Sequence, residues 1–347
     1  MKRFKYHFEP KSGWMNDPNG LVEFNGMYHA FFQHNPHDIV WGPMHWGHAV
    51  SKDLIHWDEL SIALFPDQEY ENGGGCYSGS AIVKNGRLYL IYTSVAEGDI
   101  QTQSVAYSDD GITFTKYENN PVIKSFPHDD ATKDFRDPKV FLYDDGSFRM
   151  IVGTVFANKG RVLQYKSYDL FNWEYVGVLF ECANYNLPIE CPDLYRIGSE
   201  WILMFSKIGL PNRQEQFILG DFDGIKFKPR SYVTPEFGPQ FYAAQTFETM
   251  SGRRILIGWF YDWNKKAAPD DEAAGALTLP RELTVEDGCL LINPVHEADE
   301  YLCVCDPNEL EYTKYLDQVK SEQNIEIEKI KYLIDEKAIE IFINDGR

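Results

Sequence analysis

One pattern recurs five times along the chain and limits the folds open to it. Each copy runs from a polar or small-residue motif into a strand, then a tight turn, then a very apolar strand. The motifs are Asn16-Asp17-Pro18, Tyr77-Ser78-Gly79-Ser80, Phe135-Arg136-Asp137-Pro138, Glu190-Cys191-Pro192-Asp193 and Gln240-Phe241-Tyr242-Ala243. The matching turns are Asn25-Gly26, Asn85-Gly86, Asp145-Gly146, Gly198-Ser199 and Ser251-Gly252. Asn-Gly and Asp-Gly are strong hairpin signals, because both central residues of the favoured turn need positive φ. A second signature follows in four copies: Ser51 to Trp57, Ser108 to Phe114, Ser167 to Trp173 and Asp221 to Phe227. It reads as the turn between a third and a fourth strand.

Each unit is therefore expected to be a four-stranded antiparallel meander, repeating about every fifty to sixty residues. No long amphipathic helix lies between the units. The fold class that follows is all-β, a five-bladed β-propeller, with a β-sandwich carrying long insertions as the alternative. The matched phase of two separate signatures favours the propeller. In a propeller the innermost strands line the central channel and start at one mouth. Asp17, Ser78, Asp137, Glu190 and the Gln240/Tyr242 region are thus expected around a single pocket. Asp17 is held by the backbone restriction of Pro18, and Asn19-Gly20 reads as a turn before the strand Leu21–Phe24.

The 347 residues carry a formal net charge of −20, which argues against nucleic acid or an anionic membrane as partner. No apolar run reaches transmembrane length. The start, Met1-Lys2-Arg3-Phe4-Lys5-Tyr6-His7, lacks the apolar core of a signal peptide, so a cytoplasmic location is expected. The six cysteines show neither a Cys-x-x-Cys pair nor histidine partners at zinc spacing. They read as reduced core or pocket residues. His45-Trp46-Gly47-His48 fits a packed strand better than a metal site, and no cofactor or metal is expected.

Three carboxylates at one mouth repel one another, so at least one is expected to hold a proton near neutral pH. A carboxylate beside a protonated carboxyl suits glycoside hydrolysis, one group attacking or positioning water while the other protonates the leaving oxygen. Calcium is the competing reading, but the carboxylates come singly from separate units, with no Asp-x-Asp-x-Asp-Gly loop. Trp14, Trp41, Tyr77, Tyr242 and Trp259 stand at or near the motifs and could supply sugar-stacking surface.

These blocks resemble glycoside hydrolase family 32, the invertase and β-fructofuranosidase family. The resemblance rests on Trp14-Met15-Asn16-Asp17-Pro18-Asn19-Gly20, Phe32-Gln33-His34-Asn35-Pro36 with Trp41-Gly42, Tyr77-Ser78-Gly79-Ser80, Phe135-Arg136-Asp137-Pro138 and Glu190-Cys191-Pro192-Asp193-Leu194. Phe241-Tyr242-Ala243 and Thr278-Leu279-Pro280-Arg281-Glu282-Leu283 complete it. It implies a five-bladed propeller and a retaining mechanism. Asp17 would be the nucleophile, Glu190 the general acid/base and Asp137 the transition-state stabiliser. Asn16, Gln33, Trp41, Ser78 and Arg136 would contact sugar, with Tyr77, Tyr242 and Trp259 as further candidates. The expected cytoplasmic location favours small imported substrates, sucrose or sucrose 6-phosphate, over bulky fructans. Fructosyl transfer, hydrolysis of fructo-oligosaccharides and a binding-only propeller are the alternatives. The resemblance also implies a raised pKa for Glu190 and an ionised Asp17.

Two features depart from the family pattern. Gln240 stands where an acidic residue is frequent. Only residues 296–347 follow the catalytic domain, expected at 1–295, where a complete β-sandwich is usual. That segment is expected to be a short, reduced β module. Its strand 338–343 would be an apolar edge open to pairing with a second chain, giving a homo-oligomer. Residues 308–331 look partly helical or irregular.

Overall fold

The computed structural model describes residues 3–128, 132–210, 215–234, 236, 238, 240–260, 267–268, 271–306, 316–317, 319–321 and 326–346. Strands dominate it, and helix is confined to short turns among the described residues. The first sheet holds β1 (Gly13–Phe24), β2 (Met27–Asn35), β3 (His45–Ser51) and β4 (Trp57–Glu59). The second holds β5 (Gly75–Lys84), β6 (Arg87–Ala96), β7 (Ile100–Ser108) and β8 (Thr115–Lys116). The third holds β9 (Phe135–Leu142), β10 (Phe148–Phe156), β11 (Lys159–Ser167) and β12 (Glu174–Cys182). The fourth holds β13 (Ile189–Ile197), β14 (Glu200–Lys207), β15 (Glu215–Phe222) and β16 (Phe227–Val233). The fifth joins β17 (Tyr242–Glu248), β18 (Arg254–Trp259), β20 (Arg281–Glu286) and β21 (Cys289–Pro294). Between β18 and β20 the chain sends β19 (Ala273–Ala274) across to pair in parallel with β1.

All five hairpin turns lie where the sequence places them. So do the four turns of the second signature. In that signature a serine or aspartate leads to an aspartate that caps the turn. Asp53, Asp110 and Asp169 each accept two backbone N–H groups two and three residues on. At Asp110 those N–H groups hold the carboxyl down at about 2. The next residue takes positive φ, at Leu54, Gly111, Leu170 and Gly224.

Each sheet buries both faces, which is why its second strand is almost continuously apolar. Along β6, Leu88, Leu90 and Tyr92 pack on the first sheet, while Tyr89 and Ile91 pack on the third. The third sheet packs on the fourth through Ile151, Val162, Leu203 and Ile218. The fourth packs on the fifth through Met204, Phe217, Leu256 and Leu283. The fifth returns to the first through Phe247, Ile255, Ile257, Leu21 and Phe32. The cycle closes, and the first strands β1, β5, β9, β13 and β17 touch one another in turn around its inside.

The motifs do not precede these first strands as turns. The first four lie inside them, the fifth enters its strand at Tyr242, and each breaks the ladder. The register slips between Met15 and Pro18, Cys76 and Gly79, Arg136 and Lys139, Glu190 and Asp193, and Tyr242 and Gln245. Such a bulge leaves its residues unpaired and bends the strand. Asp137, Cys191 and Ala243, one in each of the last three bulges, have φ of 65°, 46° and 52°. Asn19-Gly20 is likewise a second slip in β1 rather than a turn. At Gly20, with φ 54°, an added Cβ would come within 2.8 Å of the Phe31 ring.

A sixth sheet has β22 (Cys303–Cys305), β23 (Ile330–Asp335) and β24 (Ala338–Ile343) in that order, so β24 is an edge. It is only partly apolar to solvent, because Phe342 is buried and Glu340 turns inward. Part of 308–331 lies outside the described residues; 316–317 and 319–321 are helical, and Leu316 and Val319 pack on Ile330. The sheet is tied down by buried charge. His7 Nδ1 lies 2.9 Å from Asp335 and its Nε2 2.9 Å from Glu340. Asp335 also accepts the N–H groups of Lys5, Tyr6 and His7, and Arg281 donates to Glu340 at 2.9 Å.

Burial alone would lower the His7 pKa, but the two carboxylates outweigh it and raise it to about 9. Burial would raise Glu340, but Arg281 and His7 hold it down at about 2. A raised His pKa stabilises fully below about 6.5 and is lost as pH climbs through 9; a depressed Glu stabilises above about 4.5 and is lost as pH falls toward 2. The network is therefore complete between about pH 4.5 and 6.5. Breaking it with His7→Gln is expected to cost about 3–5 kcal/mol in that window and less toward pH 9. Denaturant unfolding of both proteins across pH checks this; a pH-independent difference contradicts it.

Candidate functional site

The five bulges turn their unpaired residues toward one another at one end of the ring. Asp17 comes from β1. Its Oδ2 accepts from Ser78 Oγ at 2.5 Å and its Oδ1 from Asn16 Nδ2 at 2.9 Å. Trp14 Nε1 donates to Asn16 Oδ1 at 2.8 Å and fixes the amide's orientation. Asp137 comes from β9 and accepts the Cys191 N–H at 2.9 Å on Oδ2. Its own N–H donates to Thr93 Oγ1 at 3.0 Å. The Cys191 thiol sits between the two aspartates, 3.5 Å from Asp17 Oδ2 and 3.7 Å from Asp137 Oδ2. Glu190, one residue earlier on β13, is gripped at both oxygens. Arg136 donates to Oε1 at 2.7 and 3.2 Å, and the Tyr242 hydroxyl donates to Oε2. Asp134 takes the remaining arm of Arg136 at 2.5 Å.

Asp17, Asp137 and Glu190 share this space with one guanidinium, whose far arm Asp134 holds. Burial pushes Asp137 up to about 7; Arg136 opposes it, and Glu190 and Asp17 add to it. Burial thus does more to raise Asp137 than the mutual repulsion expected at one mouth. Burial raises Asp17 from its ordinary value, and only the Ser78, Asn16 and Cys191 bonds pull it back.

Asp17, Asn16, Ser78 and Asp137 thus meet around the Cys191 thiol, and Glu190, Arg136 and Tyr242 form a second bonded set beside them. Tyr77 borders the site, and Trp41, 48% exposed on the loop after β2, meets the Tyr77 ring edge-on at 6.1 Å. Gln33 is buried, and its amide donates to Cys76 O at 2.9 Å, tying β2 to β5. Trp259 departs from expectation. It is fully buried, packed edge-on to Trp14 at 5.7 Å and against Cys191, Tyr242 and Ala243, so it backs the pocket and offers no face to a sugar. His48 is a packed strand residue stacked on Phe31 at 4.2 Å, as expected. Cys191, a motif residue read only as a core or pocket cysteine, gains a site contact here, and Thr93 and Asp134 are additions to the residues the sequence offers. Cys191 and Asp134 lie one and two residues from Glu190 and Arg136, a signal that proximity to the motifs could have supplied. Nothing local marks Thr93.

Residues 7–294 match the family model for the glycosyl hydrolases family 32 N-terminal domain. The chain is 41% identical over 323 residues to a sucrose-6-phosphate hydrolase of Zymomonas mobilis subsp. mobilis, covering 85% of this chain and 62% of that relative. It is 39% identical to a raffinose invertase of Escherichia coli, covering 87% of this chain and 66% of that one. The chain thus spans less than two thirds of the length of these curated relatives. Among solved structures, it resembles a Bombyx mori GH32 beta-fructofuranosidase mutant in complex with sucrose, with TM-score 0.84 and 29% identity over 99% of this chain and 87% of that one. A sucrose-6-phosphate hydrolase from Lactobacillus gasseri gives TM-score 0.84 and 25% identity over 99% of this chain and 86% of that one.

The electrostatics can be tested without substrate. The Ser78 hydroxyl stabilises ionised Asp17, so Ser78→Ala is expected to move the Asp17 titration to higher pH. Carbon-13 NMR of the labelled carboxyl reads this; an unmoved or lowered titration contradicts it.

Proposed function

The chain belongs to glycosyl hydrolase family 32, and on that premise we propose that it hydrolyses terminal β-D-fructofuranosides with retention, acting on sucrose or sucrose 6-phosphate. The observation that carries this reading is the meeting of three carboxylates from three different strands, two of them sharing one thiol and the third held by Arg136 and Tyr242. The names of the relatives, sucrose-6-phosphate hydrolase and raffinose invertase, support the substrate class.

In this reading Asp17 attacks the anomeric carbon of the fructosyl unit while Glu190 protonates the leaving oxygen. The C–O bond to the leaving sugar breaks as the C–O bond to Asp17 forms. Water then gives its proton to Glu190 and displaces Asp17. A nucleophile that attacks directly needs the two carboxyls about 5–5.5 Å apart, without room for an intervening water. Asp137 and Arg136 hold fructose hydroxyls, with Asn16, Ser78, Gln33, Tyr77 and Tyr242 completing the subsite, and Trp41 faces the leaving sugar. The closed cycle of sheets is read as a five-bladed β-propeller, residues 1–295, with a β module within 296–347 beside it. Its edge strand β24 is the candidate contact of a homo-oligomer.

The test is fructose release from sucrose and from sucrose 6-phosphate, with Asp17→Asn beside the wild type. The variant is expected to lose about 10⁴-fold in kcat. Proton NMR is expected to show the β anomer of fructofuranose first. Release by Asp17→Asn at the wild-type rate, or the α anomer first, overturns the reading.

A further inference from the structure

Behind the site lies a buried carboxyl that the chemistry above does not use. Glu190 on β13 pairs across the ladder with Ser206 on β14, and Ser206 pairs with Glu215 on β15. The three therefore form one row on the face of the fourth sheet that packs on the fifth. Ser206 and Glu215 are both buried. Ser206 Oγ donates to Glu215 Oε1 at 2.5 Å.

The row meets the bulge of β17. The register break there leaves the N–H groups of Ala243 and Ala244 off the ladder, and Ala243 has a φ of 52° that favours glycine. Ala243 N–H donates to Ser206 Oγ at 3.1 Å, and Ala244 N–H to Glu215 Oε1 at 3.4 Å. Tyr242, the residue before them, is the one whose hydroxyl holds Glu190 Oε2.

We propose that Glu215 is a positioning residue for Glu190: through Ser206 it pins the Ala243–Ala244 bulge, and the bulge aims the Tyr242 hydroxyl at the acid/base carboxyl. This rests on the role assigned to Glu190 above. The link is mechanical rather than electrostatic. Burial pushes Glu215 up to about 8, with Asp17 adding to the shift, so at neutral pH it stands mostly as a neutral acid. A glutamine keeps its shape and its acceptor oxygen.

The experiment compares wild type, Glu215→Ala, Glu215→Gln and Ser206→Ala on sucrose and on 4-nitrophenyl β-D-fructofuranoside, with and without azide. The aryl leaving group needs little protonation, and azide attacks the glycosyl-enzyme without a general base, so together they bypass Glu190. Glu215→Ala is expected to lose about 30–100-fold in kcat on sucrose with KM within about threefold. Azide is expected to restore the aryl substrate to within about fivefold of wild type, and Glu215→Gln to recover most of the loss on sucrose. Ser206→Ala is expected to show the same signature and replaces Glu215→Ala should that variant fail to fold. Equal losses on both substrates without azide rescue, or no loss, overturn the proposal. A crystal structure of Glu215→Ala reads the link without any activity. Tyr242 is expected to leave hydrogen-bond reach of Glu190, and a retained bond overturns the proposal even if the enzyme acts on neither sucrose nor its phosphate.

Discussion

A strand presents alternate side chains to its two faces, and here both faces of each of the five sheets in the ring are packed against a neighbour. A carboxylate in a regular first strand would therefore be driven into one apolar interface or the other. The break in the ladder resolves this. Residues without ladder partners let Asp17 and Asp137 leave the alternation, while Glu190 keeps its ladder partner Ser206 at the edge of the β13 bulge, and the three meet at the inner end of the ring. Everything the site does depends on five such breaks being in phase.

Being in phase is a property of the whole cycle. Each sheet is wedged between two others by Leu, Ile, Phe and Met side chains, each worth about 1.5–3 kcal/mol when fully buried. The short pairing of β19 with β1 and the return of the fifth sheet to the first fix the last sheet against the first. Freed N–H groups of the last three bulges are also caught: Asp137 N–H by Thr93, Cys191 N–H by Asp137, and the Ala243 and Ala244 N–H groups by Ser206 and Glu215. The outcome is a set of charged groups held by backbone and side chain alike, as preorganised electrostatics require.

Much of this was legible in the sequence because its signals are local. An Asn-Gly turn and an aspartate capping the N–H groups two and three residues on are decided within five residues, and they marked the meanders correctly. The same local reading misplaced the motifs. Pro18 and Asn19-Gly20 read as turn chemistry, yet a bulged strand also accepts a proline and a residue with φ above zero. Ser206 and Glu215 could not be seen, because only the register of three strands brings them beside Glu190. Trp259 was placed at the sugar because it neighbours a motif; its burial follows from closure of the fifth sheet on the first. The contact of His7 with Asp335, 328 residues away, had no local mark either.

The central claim is that the bulged first strands deliver Asp17 as a nucleophile beside Glu190. It is tested most directly by trapping the covalent intermediate. Glu190→Gln, given a fructoside with an activated leaving group and quenched rapidly, is predicted to gain the mass of one fructosyl unit. Peptide mapping is predicted to place it on Asp17. An adduct on Asp137 or another residue, or turnover of the activated substrate with no adduct at any time point, would contradict the account.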